Sequence, residues 1–121
     1  MLRQRLGDSV GTACEPRHAT WFIEVADACL AKHRAARVIA DPTVVPAGER
    51  PGGWAGLRYR RLHGSPRMYY SSYEPPRLKS LADAILCDRK ALVPSWCIFD
   101  NSASGAATTD AISLKSLLEV F

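Results

Sequence analysis

With 121 residues, 47% of them hydrophobic and 23% charged, the chain has material for one modest core and not for two domains. Its formal net charge of +4 rests on 16 basic residues, twelve of them arginines, against 12 acidic ones, but they are scattered without a stripe or dense run, which favours a solvated, mildly basic surface over a nucleic-acid footprint. No stretch approaches the ~18 apolar residues of a membrane span, and Met1–Asp8 lacks the apolar centre of a signal peptide, so the expected location is cytoplasmic.

The first predicted element is a strand over Ser9–Glu15, rich in small and β-compatible residues and stopped by Pro16. From Thr20 onward, Trp21, Phe22, Val25, Ala26, Ala28, Cys29 and Leu30 recur at three- and four-residue spacing, which predicts an amphipathic helix begun by His18 or Thr20. Arg37–Asp41 is an apolar run closed by Pro42 and reads as a buried strand. Residues 42–53 carry three prolines and three glycines without periodicity; they predict a loop, either a lid over the strand ends or a surface excursion.

A third strand is centred on Leu57–His63. Ser65–Pro76 holds Tyr69, Tyr70 and Tyr73 among turn formers and predicts no regular element. Pro76–Arg89 regains helical spacing through Leu78, Leu81, Ala82, Ile85 and Leu86. Leu92–Phe99 is the fourth strand, and Ala106–Phe121 a final helix with Ala107, Ala111, Leu114, Leu117 and Leu118 on one face. Alternation in the order β-α-β-loop-β-α-β-α indicates a parallel sheet with helices outside it. Cys14, Cys29, Cys87 and Cys97 show no metal-ligand spacing and are expected as buried free thiols in a reducing compartment.

Each strand ends in polar or charged residues: Glu15-Pro-Arg17-His18, Asp41, Arg61-Leu-His63 and Asp100-Asn101. In parallel α/β folds such tips share one rim, so these groups should converge. Strand parity places Tyr59, Arg61 and His63 on one face and Leu62 on the helix side. The same reasoning sends Trp96 and Ile98 toward the helices and Cys97, Phe99 and Asn101 inward, beside Glu15.

An acid, a permanent cation, a group titrating near neutrality and an amide suit an anionic, sugar or nucleic-acid ligand. Glu15 and His63 are the acid/base candidates, Arg61 would stabilise negative charge, and Asn101 would orient. The plainer alternative is ion pairing that fills a barrel interior. Asp41 is a ligand or a turn former, and His18 a ligand or a helix-start residue. Tyr70 and Tyr73 either stack on a ligand or pack a loop onto the rim. Glu15, His18, Asp41, His63 and Asp100 have the types, but not the spacing, of a divalent-metal set. Ser102–Gly105, just before the last helix, offers a weak anion-binding turn.

Three ordered motifs carry a family resemblance: Glu15-Pro-Arg-His18 with Trp21; Tyr59-x-Arg-Leu-His-Gly64 with Tyr70 and Tyr73; and Trp96-Cys-Ile-Phe-Asp-Asn101 with Gly105-Ala-Ala and Leu114. From about Ala13 to Leu118 the chain resembles the YecE-like family, domain of unknown function 72. The resemblance implies an α/β fold, the C-terminal half of a (β/α)8 TIM barrel with about four parallel strands, in a protein roughly twice this length. Residues 1–121 would then form a single partial domain.

Ser102 stands where the family usually has threonine, Asp110 where asparagine is usual, and the motifs of the family's first strands have no counterpart. Arg17, His18, Asp41, Arg61, Tyr70, Tyr73, Asp100 and Asn101 are the ligand-binding candidates beside Glu15 and His63. Fold analogy alone suggests hydrolytic or nucleic-acid-processing chemistry. The rival expectation is a non-catalytic remnant or interaction module. A half-barrel would need completion by a homodimer or by a separately encoded N-terminal half.

Overall fold

In the computed structural model, which describes Gln4, Arg5, Gly7 and residues 9–119, the predicted alternation is present with shorter strands. The end of the last predicted helix, at 120–121, and part of the N-terminal segment lie outside the described residues. Strand β1 is Thr12–Cys14, helix α1 Glu24–Lys32, β2 Ala35–Arg37, β3 Ile39–Asp41, β4 Gly52–Gly53, β5 Arg58–Leu62, α2 Pro75–Lys90, β6 Ser95–Phe99 and α3 Ala106–Glu119. Among the described residues, no helix is long and apolar enough to cross a membrane.

β1 pairs with β2, β3 with β5 and β5 with β6, all parallel. The predicted second strand is thus two strands, broken at the buried Val38, whose N–H still donates to the Cys14 carbonyl at 2.8 Å. Its N-terminal half joins β1 and its C-terminal half joins β5. The parallel strands therefore lie side by side in chain order. Ladder bonds continue to the tips, where His63 N–H donates to Asp41 O at 2.7 Å and Asp100 N–H to Leu62 O at 2.8 Å. These bonds bring successive strand ends alongside one another.

The core lies between sheet and helices: Leu62, Leu78, Leu81, Ala82, Ile85 and Leu114 with Tyr73. α2 begins on Pro75 and Pro76, whose fixed φ suits a first turn, and ends on Arg89 and Lys90, which favour the negative end of the helix dipole. The first predicted helix is cut short. Ala19–Phe22 is a 3-10 turn, Ile23 is extended, and α1 starts only at Glu24. Val25, predicted on its buried face, is exposed.

Residues 42–53 form neither a lid nor a free excursion. Arg37, 5% exposed, pins them from below, donating to the carbonyls of Ala47 at 3.0 Å and Arg50 at 3.2 Å while pairing with Asp27 at 2.7 Å. Gly52–Gly53 then runs antiparallel to β2. Gly53 has φ +65°, and a Cβ there would stand 2.6 Å from the Ala35 carbonyl oxygen. Alanine at this position combines a left-handed backbone with a backbone clash. Gly53→Ala is expected to cost at least about 2 kcal/mol in urea unfolding.

Two sequence expectations are corrected. Cys97 and Phe99 pack against the helix-side core, and Trp96 and Ile98 point to the opposite face, where they meet Tyr59 and Ala13. Alternation decides which residues share a face but not which face is covered. The thiols are free, yet Cys29 and Cys87 are exposed and Cys14 and Cys97 only partly covered. Burial pushes the Cys97 thiol up to about 11.

Candidate functional site

Strand tips place four side chains together on the concave side of the sheet. Glu15 follows β1, Arg61 lies in β5, His63 follows it, and Asp100 follows β6. His63, its side chain 3% exposed, stands between two carboxylates: Nε2 is 3.3 Å from Glu15 Oε2, and Nδ1 is 3.1 Å from Asp100 Oδ2. Arg61 spans the same pair, with Nη1 3.4 Å from Glu15 Oε1 and Nη2 donating to Asp100. Nitrogen groups and carboxylates thus alternate around a closed ring.

Arg17 adds a second cation to Glu15 at 2.9 Å. Burial works against the charge of the Arg61 guanidinium, but its hydrogen bond to Asp100 and the nearby Glu15 outweigh this and hold its proton more firmly than usual. Tyr69 closes the outer side, its ring edge-on to His63 with centroids 6.0 Å apart. Two buried atoms in the ring make no hydrogen bond: Glu15 Oε1 and His63 Nδ1, the latter near Asp100 but off the line of a bond. Glu15 and Arg61 also line a hollow of about 460 Å³ with Ala13, Val38, Tyr59 and Ile98. The carboxylate is therefore both paired with arginines and at the wall of this hollow.

The remaining candidates lie elsewhere. Asn101, fully buried, is on the helix side and not beside Glu15; its Nδ2 donates to Ser71 O at 3.0 Å and to Asp110 Oδ2 at 2.7 Å. The correction follows from the inverted facing of β6. Tyr73 is also behind the rim. Its hydroxyl accepts from Gly64 N–H at 2.9 Å and donates to Asp41 O at 3.4 Å, and its ring meets Phe99 edge-on. Burial and then Asp41 push its ionisation upward.

Asp41 serves that network through its carbonyl, while its side chain borders a groove beside α2 with Glu49 and Arg77. His18 is exposed and caps the 3-10 turn, Nδ1 accepting from Thr20 N–H at 3.3 Å. Tyr70 is exposed and lies beneath Arg67, whose Cζ is 4.0 Å from the ring centroid.

The residues do not fit a divalent metal. Arg17 and Arg61 already pair with the rim carboxylates, and among the described residues no three His, Cys, Asp or Glu side chains are placed to hold one ion. What the ring can do is transfer a proton at Glu15 beside a fixed positive charge.

Sequence reading missed two ion pairs made by buried strand arginines. Arg60 Nη1 donates to Asp88 Oδ2 at 2.7 Å and to Ser95 Oγ at 2.9 Å on the helix side of β5. Arg37 does the corresponding work in β2. The signal for the first was present: Leu81, Ile85 and Asp88 fall on one helical stripe, so Asp88 had to face the sheet.

A family model, "Protein of unknown function DUF72", matches residues 1–120. No curated protein matches the chain. Among solved structures, a DUF72 family protein from Thermotoga maritima is 22% identical with a TM-score of 0.76, covering 98% of this chain and 50% of its own. One from Enterococcus faecalis is 18% identical with a TM-score of 0.77 and the same coverage. The chain thus spans about half the length of these solved relatives and shares the fold of that half. Matched by the family model over nearly all its residues, it belongs to the DUF72 family of proteins of unknown function.

Proposed function

We propose that the chain is one half of a (β/α)8 barrel, the C-terminal half by the order of its motifs, and that its rim hydrolyses a phosphodiester of the nucleic-acid type. Parallel strands in chain order, α2 and α3 packed on the Leu62 face of the sheet and the half-length match support the barrel reading. The observation that carries the chemistry is Glu15, held by Arg17, Arg61 and His63 while still facing the concave hollow.

Arg61, its side chain about one-third exposed (34%), holds a nonbridging phosphate oxygen. Glu15 takes a proton from the attacking water as the new P–O bond forms and the ester P–O bond breaks. The same carboxylate returns that proton to the leaving oxygen, so the step needs no second donor. His63 and Asp100 keep Glu15 oriented.

Hydrolysis of bis(4-nitrophenyl) phosphate tests this reading. Glu15→Gln is expected to lower the rate by about 10²–10⁴-fold, the usual span for a general base. Arg61→Ala is expected to weaken inorganic phosphate binding, followed by the His63 ring resonances, by at least about tenfold. Absence of turnover by the unaltered chain, or full rate in Glu15→Gln, overturns the proposal.

A further inference from the structure

We propose that Tyr69 is the stacking wall of the rim site, so that the phosphodiester held there belongs to a single strand whose unpaired base lies on the Tyr69 ring. The proposal rests on the phosphodiester reading above and names the kind of strand. Among the described residues, three besides glycine have a left-handed backbone: Arg34, Tyr69 and Leu92, with φ of 52°, 68° and 59°. Arg34 and Leu92 directly follow the last turns of α1 and α2, where that conformation is ordinary. Tyr69 closes no helix. It is the third residue of a turn completed by Tyr70 N–H on Arg67 O at 3.1 Å, a place that suits glycine or asparagine when φ is positive.

What holds this backbone is independent of the side chain. Tyr69 N–H donates to His63 O, and Tyr69 O accepts from Ala103 N–H at 3.0 Å; glycine at this position would keep both bonds with less strain. Nor is the ring buried in the core, since Tyr69 is 45% exposed. Strain kept for a half-exposed aromatic ring points to a ligand contact.

The surroundings of the ring indicate which ligand. Tyr69 meets His63 edge-on, the planes at 83°, and such a pair leaves at least one face of the tyrosine uncovered by the histidine. His63 stands against Asp100, to which Arg61 donates, so two side chains separate this open face from the guanidinium assigned to the phosphate. Next in the chain, Arg67 and Tyr70 are both exposed, with Arg67 Cζ 4.0 Å from the ring centroid. Neighbouring aromatic faces and arginines match a single strand, whose bases stack and whose phosphates pair with cations. A base inside a duplex is already stacked on both sides and has no face to give.

Fluorescence anisotropy with a labelled oligothymidylate, and with a base-free strand of the same sugar-phosphate backbone, tests the assignment. The unaltered chain should bind the strand with bases about tenfold more tightly, the size of one stacked base. Tyr69→Leu should remove that preference, Tyr69→Phe should keep it, and Arg61→Ala should weaken binding of both strands alike. If Tyr69→Leu does not fold, the Tyr69 ring protons of the unaltered chain decide the matter, because a stacked base moves their resonances upfield and a base-free strand does not.

Equal affinity for the two strands overturns the proposal, as do Tyr69 resonances indifferent to the bases. A preference that survives Tyr69→Leu also overturns it and makes the ring a cover for His63; one lost equally in Tyr69→Phe overturns it in favour of the hydroxyl. A Tyr69-dependent preference without hydrolysis of bis(4-nitrophenyl) phosphate keeps the stacking wall and removes the rim chemistry. Glu15-dependent hydrolysis without a preference for bases does the reverse.

Discussion

Asp88→Ala is expected to lower the unfolding free energy by about 3–5 kcal/mol, the range for removing one partner of a buried ion pair. Asp88 and Arg60 are 11% and 6% exposed in their side chains, and the Asp88 carboxylate is also 3.5 Å from Arg58 Nε. Without it, the Arg60 guanidinium stays inside the sheet–helix interface with Ser95 Oγ as its remaining hydrogen-bond partner there, and its desolvation is no longer offset. Urea unfolding of the purified protein measures the effect. The double variant Arg60→Met with Asp88→Leu should recover most of the loss, since an apolar pair of similar volume carries no charge to desolvate. A loss below about 1 kcal/mol for Asp88→Ala would place the pair in the class of solvated surface bridges.

Asn101→Ala is expected to cost about 1–3 kcal/mol, because it removes the Nδ2 bonds to the half-buried Ser71 O and to the buried Asp110 Oδ2. Asp110 also accepts the Tyr73 N–H at 3.0 Å, so the β6 tip, α3 and the segment carrying Tyr69 to Tyr73 are held through one carboxylate. Thermal unfolding gives the stability change. The folded fraction should keep its phosphate response, since Asn101 lies on the far side of the strand from Glu15. A stable variant with the response abolished would instead make Asn101 a ligand contact.

The alternation of elements was legible in the sequence because α2 and α3 carry clear helical stripes and the parallel strands end in turn formers or prolines. The convergence of Glu15, Arg61 and His63 was legible for a topological reason, since consecutive parallel strands bring their C-terminal ends together, but parity named Asn101 as their neighbour where the structure brings Asp100. The side on which β6 faces was not. Trp96 and Ile98 were expected against the helices from strand parity, but they line the opposite face, and Cys97 with Phe99 fills the helix side.

Arg37 was hidden for a related reason. A strand arginine reads as surface unless its carboxylate can be found, and Asp27, unlike Asp88 with its stripe of Leu81 and Ile85, sits on a helix whose docking the sequence does not spell out. The break at Val38 left no mark at all, since valine continues the apolar run Arg37–Asp41 without interruption.

That break divides the ring of charges between two separately laddered sheets. Glu15 belongs to the sheet of β1, β2 and β4, whereas Arg61, His63 and Asp100 belong to that of β3, β5 and β6. The rim ion pairs are therefore a clasp between two halves of the molecule as well as the proposed reactive centre. Neutralising Glu15 unfastens that clasp and removes a proton acceptor in the same stroke, and the two losses separate only when unfolding and turnover are followed on one sample.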